Sequence, residues 1–254
     1  MILLQGTDLS KSFPIEGGIW RKKIGQVQAL SGVSFEISKG ETLALVGGSG
    51  CGKSTLAKIV AGLLQADSGQ LHWDGQTLER FSRLERARKI QMIFQDPYAS
   101  LNPKLSVGTQ LAEVLRLTSS SPSRPTELLE AVGLPEDALS HYPFQFSGGQ
   151  RQRIAIARAL AMSPELLIAD EPLSALDVTT QAQILDLFKK LKEAYQLTFL
   201  FITHDLAVAQ GFSDRMVVLK DGQRVEEGLT RAVLQNPQNA YTRDLIAAVP
   251  KIPC

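Results

Sequence analysis

The chain holds only two cysteines in 254 residues, Cys51 and Cys254. Two thiols so far apart supply no disulfide framework, which fits a reducing compartment. It lacks any apolar run near the roughly eighteen residues that a membrane-spanning helix needs. Its first residues, Met1-Ile2-Leu3-Leu4-Gln5, turn polar too soon for a secretory signal. Its 27 basic and 26 acidic residues leave a formal charge of +1, too little to draw in nucleic acid or anionic lipid. The expectation is a soluble chain whose membrane role, if any, comes through a partner.

What is present supports a large core. Hydrophobic residues make up 44%, enough for one large α/β domain or two small ones. Val33 to Ile37 alternates apolar and polar, and Glu41 to Val46 is a short apolar run, so both predict strands. Lys53 to Leu64 predicts a helix with Leu56, Ile59 or Val60, and Leu63 on one face. Asp74-Gly75 marks a hairpin, and Gln91 to Phe94 a further strand. From about 96 to 162 the spacing becomes helical and is punctuated by prolines. Thr118 to Thr126, rich in Ser and Pro, predicts a mobile connection.

The alternation of strands and helices then resumes. Leu166 to Ala169 reads as a strand, and Asp177 to Tyr195 as a helix with Ile184, Phe188, Leu191 and Tyr195 aligned. Thr198 to Ile202 is a strand, and a hairpin turns at Lys220-Asp221-Gly222-Gln223. Such repetition predicts a mostly parallel sheet covered by helices. The whole reads as a single domain over 1–254, with a core and β subdomain at about 1–95 and 163–254 and a helical insert at about 96–162.

Four motifs in order carry the chemistry. Gly47-Gly48-Ser49-Gly50-Cys51-Gly52-Lys53-Ser54 fits a phosphate-binding loop between a strand and a helix. Its glycines let backbone N–H groups turn inward around phosphates at a helix N-terminus. Lys53 is suited to the β and γ phosphates, and the Ser54 hydroxyl to Mg²⁺. Gln95 comes next, then Ser147-Gly148-Gly149-Gln150-Arg151, with Ser147 as an N-cap. Last, the strand ending at Ala169 delivers Asp170 for the metal and Glu171 to accept a proton from attacking water. The motifs together predict binding and hydrolysis of ATP.

These residues resemble the ATP-binding cassette (ABC) family over essentially the whole chain. The resemblance implies an α/β P-loop NTPase fold with a RecA-like core, an N-terminal antiparallel β subdomain and an inserted α-helical subdomain. It makes Gln95 the Q-loop glutamine, near the metal and the attacking water, and Ser174-Ala175-Leu176-Asp177 the D-loop. His204 becomes the switch histidine at the γ-phosphate, and Ser147 to Gln150 part of the signature that closes on ATP. Phe13 stands where the family stacks an aromatic on adenine; a plain core phenylalanine is the alternative. Val27 and Thr55 join the nucleotide-binding positions. The implied partners are a second cassette packed head to tail, identical or a paralogue, two transmembrane permease subunits and, indirectly, a substrate-binding protein. No nucleic acid is among them. The place is the cytoplasmic face of a bacterial inner membrane, held peripherally.

Within the family, Gln95-Asp96-Pro97-Tyr98-Ala99-Ser100-Leu101-Asn102-Pro103 is similar to the oligopeptide, dipeptide and nickel importers. So is Asn236-Pro237-Gln238-Asn239-Ala240-Tyr241-Thr242-Arg243-Asp244-Leu245. The segment from Phe13 to Val27, with Ile19-Trp20-Arg21-Lys22-Lys23, is shared too, or is a solvated basic loop. Cys254 alone cannot supply the four thiolates of an iron–sulfur cluster, so none is expected. The alternatives are a soluble non-transport ABC ATPase, and an exporter or lipoprotein-release ATPase. Cargo is not written in the sequence.

Overall fold

The computed structural model describes residues 1–17, 22–118 and 124–248. Ile19-Trp20-Arg21, residues 119–123 of the Ser/Pro-rich connection, and Pro250 to Cys254 lie outside the described residues. Two units are formed, Met1–Ser82 with Leu200–Cys254, and Arg83–Phe199.

In the first unit, β1 (Ile2–Gly17) pairs antiparallel with β2 (Lys22–Ser38). Val33, Phe35 and Ile37 of β2 are buried while Glu36 between them is exposed, which is the period of two that a half-buried strand requires. Strand β3 (Thr42–Val46) is buried at every position and leads through the glycine loop into α1 (Lys53–Val60). Leu56, Ile59 and Val60 are buried, but the helix stops short of Leu64 and Leu63 is 61% exposed. Gly62 is the cause. It turns left-handed at φ 72°, and its N–H donates to the Ile59 carbonyl, so the chain leaves the helix before Leu63 can join the apolar face. Strands β4 (Ser68–Trp73) and β5 (Gln76–Thr77) complete an antiparallel sheet in the order β2-β1-β4-β5. Asp74 and Gly75 both take positive φ, the geometry of a tight two-residue hairpin.

The second unit opens with α2 (Arg83–Lys89), a charged turn with no buried residue. Strand β6 (Ile90–Ile93) follows. Helices α3 (Val107–Leu115), α4 (Arg124–Ala131) and α5 (Gly148–Leu160) come next. Their core is Val107, Leu111, Leu128, Leu129, Ile154 and Ile156, all at or below 1% exposure. Strand β7 (Leu166–Asp170) is fully buried and parallel to β6, in register from Ile90↔Leu166 to Ile93↔Ala169. Helix α6 (Val178–Tyr195) buries Ile184, Phe188 and Leu191 as its spacing predicts, but at its last residue Tyr195 is only half-buried and Leu187 is buried instead; the Phe188 ring stands edge-on to Phe199 at 5.6 Å. Burying each such side chain contributes about 1.5–3 kcal/mol.

Strand β8 (Thr198–Ile202) begins in the second unit and ends in the first. There the Thr203 N–H donates to the Leu45 carbonyl at 3.3 Å, ahead of α7 (Leu206–Phe212). Strand β9 (Arg215–Lys220) runs parallel to β3, and β10 (Gln223–Leu229) returns antiparallel through the left-handed pair Asp221-Gly222. Helices α8 (Thr230–Gln235) and α9 (Ala240–Ala247) close the unit. Ala44, Val46, Met216, Val218, Ala209 and Val233 form its core, with Tyr241 and Leu245 packed on it.

Candidate active site

In the first unit the glycine loop leaves the C-terminal end of β3, the edge where α/β proteins bind ligands. Gly47, Gly50 and Gly52 take φ of 151°, 76° and 106°. A Cβ at Gly47 would stand 2.2 Å from the Leu219 carbonyl oxygen, and one at Gly52 2.4 Å from that of Ala29. Both obstacles are backbone, so only glycine fits. No side chain caps α1, whose N-cap is Gly52 itself. The positive end of the α1 dipole therefore faces the loop with no capping side chain before it, an arrangement that favours an anion.

Lys53 is 5% exposed, and its ammonium donates to the Gly47 and Gly48 carbonyls at 2.9 Å each. Cys51 Sγ is its third acceptor, at 3.8 Å. Burial pushes the Cys51 thiol up, against the pull of the Lys53 charge, so it stays a neutral small side chain. A buried cation partnered by two carbonyls and a thiol is suited to an arriving anion. Ser49, Gly50 and Ser54 are exposed around it, and Thr55 follows on the first turn.

Two further expected positions share this unit. Phe13 is not a core residue: it is 38% exposed, lies opposite the exposed Val27 in the β1–β2 register, and has Lys11 Nζ 5.8 Å from its ring centre. His204 is exposed in the turn between Thr203, bonded to Leu45, and Asp205, the N-cap of α7. Leu45 stands two residues before Gly47, so the turn and the loop entrance share one edge of the unit.

The second unit gathers the rest. Because Ile93 pairs with Ala169 in parallel, Gln95 and Glu171 each lie two residues beyond a matched pair and leave the same end of it. Asp170 is 7% exposed, while Gln95 is exposed. Glu171 adopts a left-handed φ of 46°, a conformation glutamate rarely takes, and its carbonyl accepts the Ser174 N–H at 3.2 Å and hydroxyl at 3.0 Å.

The signature and D-loop residues meet in this unit. Exposed Ser147 caps α5 through the Gln150 N–H at 3.3 Å, and Gln150 returns the bond to the Ser147 N–H at 2.9 Å. Asp177 caps α6 likewise, accepting the Thr180 N–H at 3.0 Å and hydroxyl at 2.7 Å. The Thr180 hydroxyl is the main cause that holds the Asp177 carboxyl below its usual range. A Cβ at Gly149 would lie 2.5 Å from Thr180 Cγ2, and one at Gly148 3.6 Å from Leu176 Cδ2. The two helix starts are thus packed together through missing side chains. Arg151 also stands 4.4 Å from the Tyr98 ring centre, tying α5 to the segment after Gln95.

Ser54, Gln95 and Asp170 are hard oxygen donors, the kind Mg²⁺ takes beside phosphate oxygens. Residues 30–174 match the family model described as ABC transporter. The chain belongs to the ABC transporter family. This cassette is 43% identical to the oligopeptide transport ATP-binding protein OppF of Lactococcus lactis subsp. lactis (strain IL1403), over 98% of this chain and 81% of that protein. It is 42% identical to the dipeptide transport ATP-binding protein DppF of Haemophilus influenzae, over 98% and 79%. Among solved structures it resembles the dimeric post-hydrolysis state of the ATP-binding cassette MJ0796 bound to ADP and Pi. That match has a TM-score of 0.76 and 32% identity, covering 90% of this chain and 99% of that one. The fold is an ABC ATPase fold, as the resemblance implies, and the cassette is an ATPase.

Two contacts beside the site carried no local signal. Asp67 accepts Lys11 Nζ at 2.6 Å, the Ser12 N–H at 2.7 Å and the Ser12 hydroxyl at 2.9 Å, fastening the strand that bears Phe13. These bonds, that from Lys11 first, hold its carboxyl down at about 2. The Tyr241 hydroxyl accepts the Gly48 N–H at 2.9 Å. Both contacts join positions far apart in sequence, which spacing rules do not reach.

Proposed function

We propose that this chain is the ATP-hydrolysing subunit of a bacterial importer, and that peptides are the cargo its permease admits. The observation that carries the reading is the buried Lys53 ammonium, held by neutral acceptors inside a loop that only glycine can build. The names of the relatives, oligopeptide and dipeptide transport proteins, support peptide over nickel or metal chelates as cargo. Working as one cassette over 1–254, the chain would divide its labour between a core with β subdomain, about 1–95 and 163–254, and a helical insert, about 96–162.

In this mechanism Phe13, beside Val27, stacks on adenine. The N–H groups of residues 47 to 55 surround the phosphates, and Lys53 exchanges its carbonyl partners for β and γ oxygens. Ser54, Gln95 and Asp170 would hold Mg²⁺, which supplies neutralising charge at those oxygens when bound. Glu171 accepts the proton of the attacking water, and His204 reads the γ-phosphate. Ser147 to Gln150 of one cassette, with Asp177, would close on the ATP of a second packed head to tail. MJ0796, a dimer with ADP and Pi, supports that assembly.

Two permease subunits and a substrate-binding protein would complete the transporter, with this chain peripheral on the cytoplasmic face of the membrane. No helix among the described residues is long and apolar enough to cross a membrane. The exposed aromatics Tyr98, Tyr142 and Phe144 of the second unit give a permease segment something to grip.

Glu171→Gln tests the chemistry. ATP binding should persist, turnover should fall roughly 100- to 10,000-fold, and an ATP-dependent dimer should accumulate in gel filtration. Fast turnover in that variant would reject Glu171 as the base. A wild-type chain with no magnesium-dependent affinity for ATP would overturn the whole reading.

A further inference from the structure

The C-terminal segment that links this chain to the peptide importers has a physical task at the loop. The peptide between Gly47 and Gly48 is bonded at both ends. Its carbonyl, on Gly47, accepts Lys53 Nζ at 2.9 Å, and its N–H, on Gly48, donates to the Tyr241 hydroxyl oxygen at 2.9 Å. A Cβ at Gly48 would stand 3.1 Å from that hydroxyl, so the glycine also makes room for the approach.

Tyr241 is itself held from several sides. Asn239 caps α9 by accepting the Tyr241 N–H at 2.9 Å, and its amide nitrogen donates to the Val225 carbonyl at 3.3 Å. The Glu226 carboxylate of β10 accepts the N–H groups of Gln238 at 2.7 Å and Asn239 at 3.1 Å. Lys220 Nζ stands 4.9 Å from the Tyr241 ring centre, and the ring packs on the core of β3 and β9. All of these residues belong to the first unit.

We propose that Tyr241 is a positioning residue for ATP: its hydroxyl, hung from β10 through Glu226 and Asn239, keeps the first peptide of the glycine loop in its binding shape. The inference rests on the nucleotide reading of the loop. Its logic lies in what happens to Lys53. In this structure the ammonium braces the Gly47 and Gly48 carbonyls from inside the loop. When phosphate draws the ammonium away, that brace is lost and the Tyr241 bond remains. Four glycines in six residues, 47, 48, 50 and 52, leave such a loop much freedom to lose on binding. A fixed acceptor outside the loop removes part of that freedom in advance.

The test is Tyr241→Phe in the full chain, which keeps the ring and removes the hydroxyl. KM and Kd for ATP should rise roughly fivefold to tenfold, the scale of one lost hydrogen bond at a partly buried N–H, while kcat changes less than about twofold. The melting temperature should fall by no more than about 2–4 °C, the scale of that one bond, since core packing is untouched. Glu226→Ala should raise KM in the same direction, and the double variant should be no worse than the larger single one, because both act through one bond. Unchanged ATP affinity in Tyr241→Phe overturns the inference, as does a joint fall of kcat and affinity with a melting loss well beyond that of one hydrogen bond. Additive effects in the double variant overturn it as well. If the wild-type chain binds no ATP, the reading of the loop fails first and takes this inference with it; wild-type binding beside an unaltered variant sinks the inference alone.

Discussion

Two helix starts in this cassette use glycine for opposite reasons. At α1 the glycines serve backbone conformation: Gly50 and Gly52 are left-handed, and the atoms crowding Gly47 and Gly52 are carbonyl oxygens. At α5 the glycines serve packing: neither Gly148 nor Gly149 is among the positive-φ residues, and the atoms nearest them are side-chain tips. The caps differ in the same sense. No side chain caps α1, whereas Ser147 and Gln150 close a reciprocal box on α5. An uncapped start presents the positive end of the helix dipole to an anion with no side chain in the way. Affinity for triphosphate should therefore reside in the loop. The signature, already partly satisfied, should add contacts only to a nucleotide presented by another cassette.

The strongest way to break that comparison is to remove the charge from one start and the cap from the other. Lys53→Ala should weaken ATP binding by the isolated chain on the order of 100-fold, the scale of hydrogen bonds to a buried charge. Ser147→Ala should leave that binding within about twofold and instead reduce stability by about 1 kcal/mol through the lost cap. Titration calorimetry and thermal melting separate the two. Equal losses of affinity would show that both starts bind the first nucleotide alike.

The glycines themselves sharpen it. Gly52→Ala places a Cβ 2.4 Å from the Ala29 carbonyl at φ 106°, so it should destabilise the loop by about 1–3 kcal/mol. No second-site change of a side chain relieves a backbone obstacle. Gly149→Ala meets only the Thr180 methyl, at 2.5 Å. Adding Thr180→Ser removes that methyl yet keeps the hydroxyl that donates to Asp177 at 2.7 Å. The double variant should recover wild-type melting, helped by the better helix propensity of alanine. Failure to recover would mean that Gly149 is needed for something other than fit.

Much of this was legible in the chain. The loop, its flanking strand and helix, and the Asp74-Gly75 and Asp221-Gly222 hairpins follow from local chemistry, and the structure keeps each. So does α6, whose Ile184, Phe188 and Leu191 repeat at helical spacing. Helix α2 was not legible because it buries nothing: Arg83 to Lys89 has no apolar stripe to read. The end of α1 was misjudged although Gly62 marks it, because Leu63 continues the apolar spacing past the glycine. The Tyr241–Gly48 and Asp67–Lys11 contacts escaped for another reason. They join residues 193 and 56 positions apart, and no single-sequence pattern encodes which distant pair will meet.

The smallest expected effect separates the same two regions by the kind of bond each carboxylate makes. Asp67, in the unit of the loop, is bonded first by a cation, Lys11; Asp177, beside the signature, is bonded first by a neutral hydroxyl, that of Thr180. Both carboxyls are lowered in the folded chain, so each contributes stability above the unfolded value of about 4 and loses it as pH falls further. For Asp67 that loss should run from about pH 4 down to about 2. Salt acts more strongly on Asp67, because its first partner is a cation. At neutral pH and low ionic strength, Asp67→Asn and the cap-removing Asp177→Ala should each lower the melting temperature by about two degrees. In about 1 M salt, where the screening length drops to about 3 Å, the Asp67→Asn deficit should shrink while most of that of Asp177→Ala, a lost cap, persists. Equal shrinkage would mean that Asp177 also works through charge, and that the two helix starts differ less than their caps suggest.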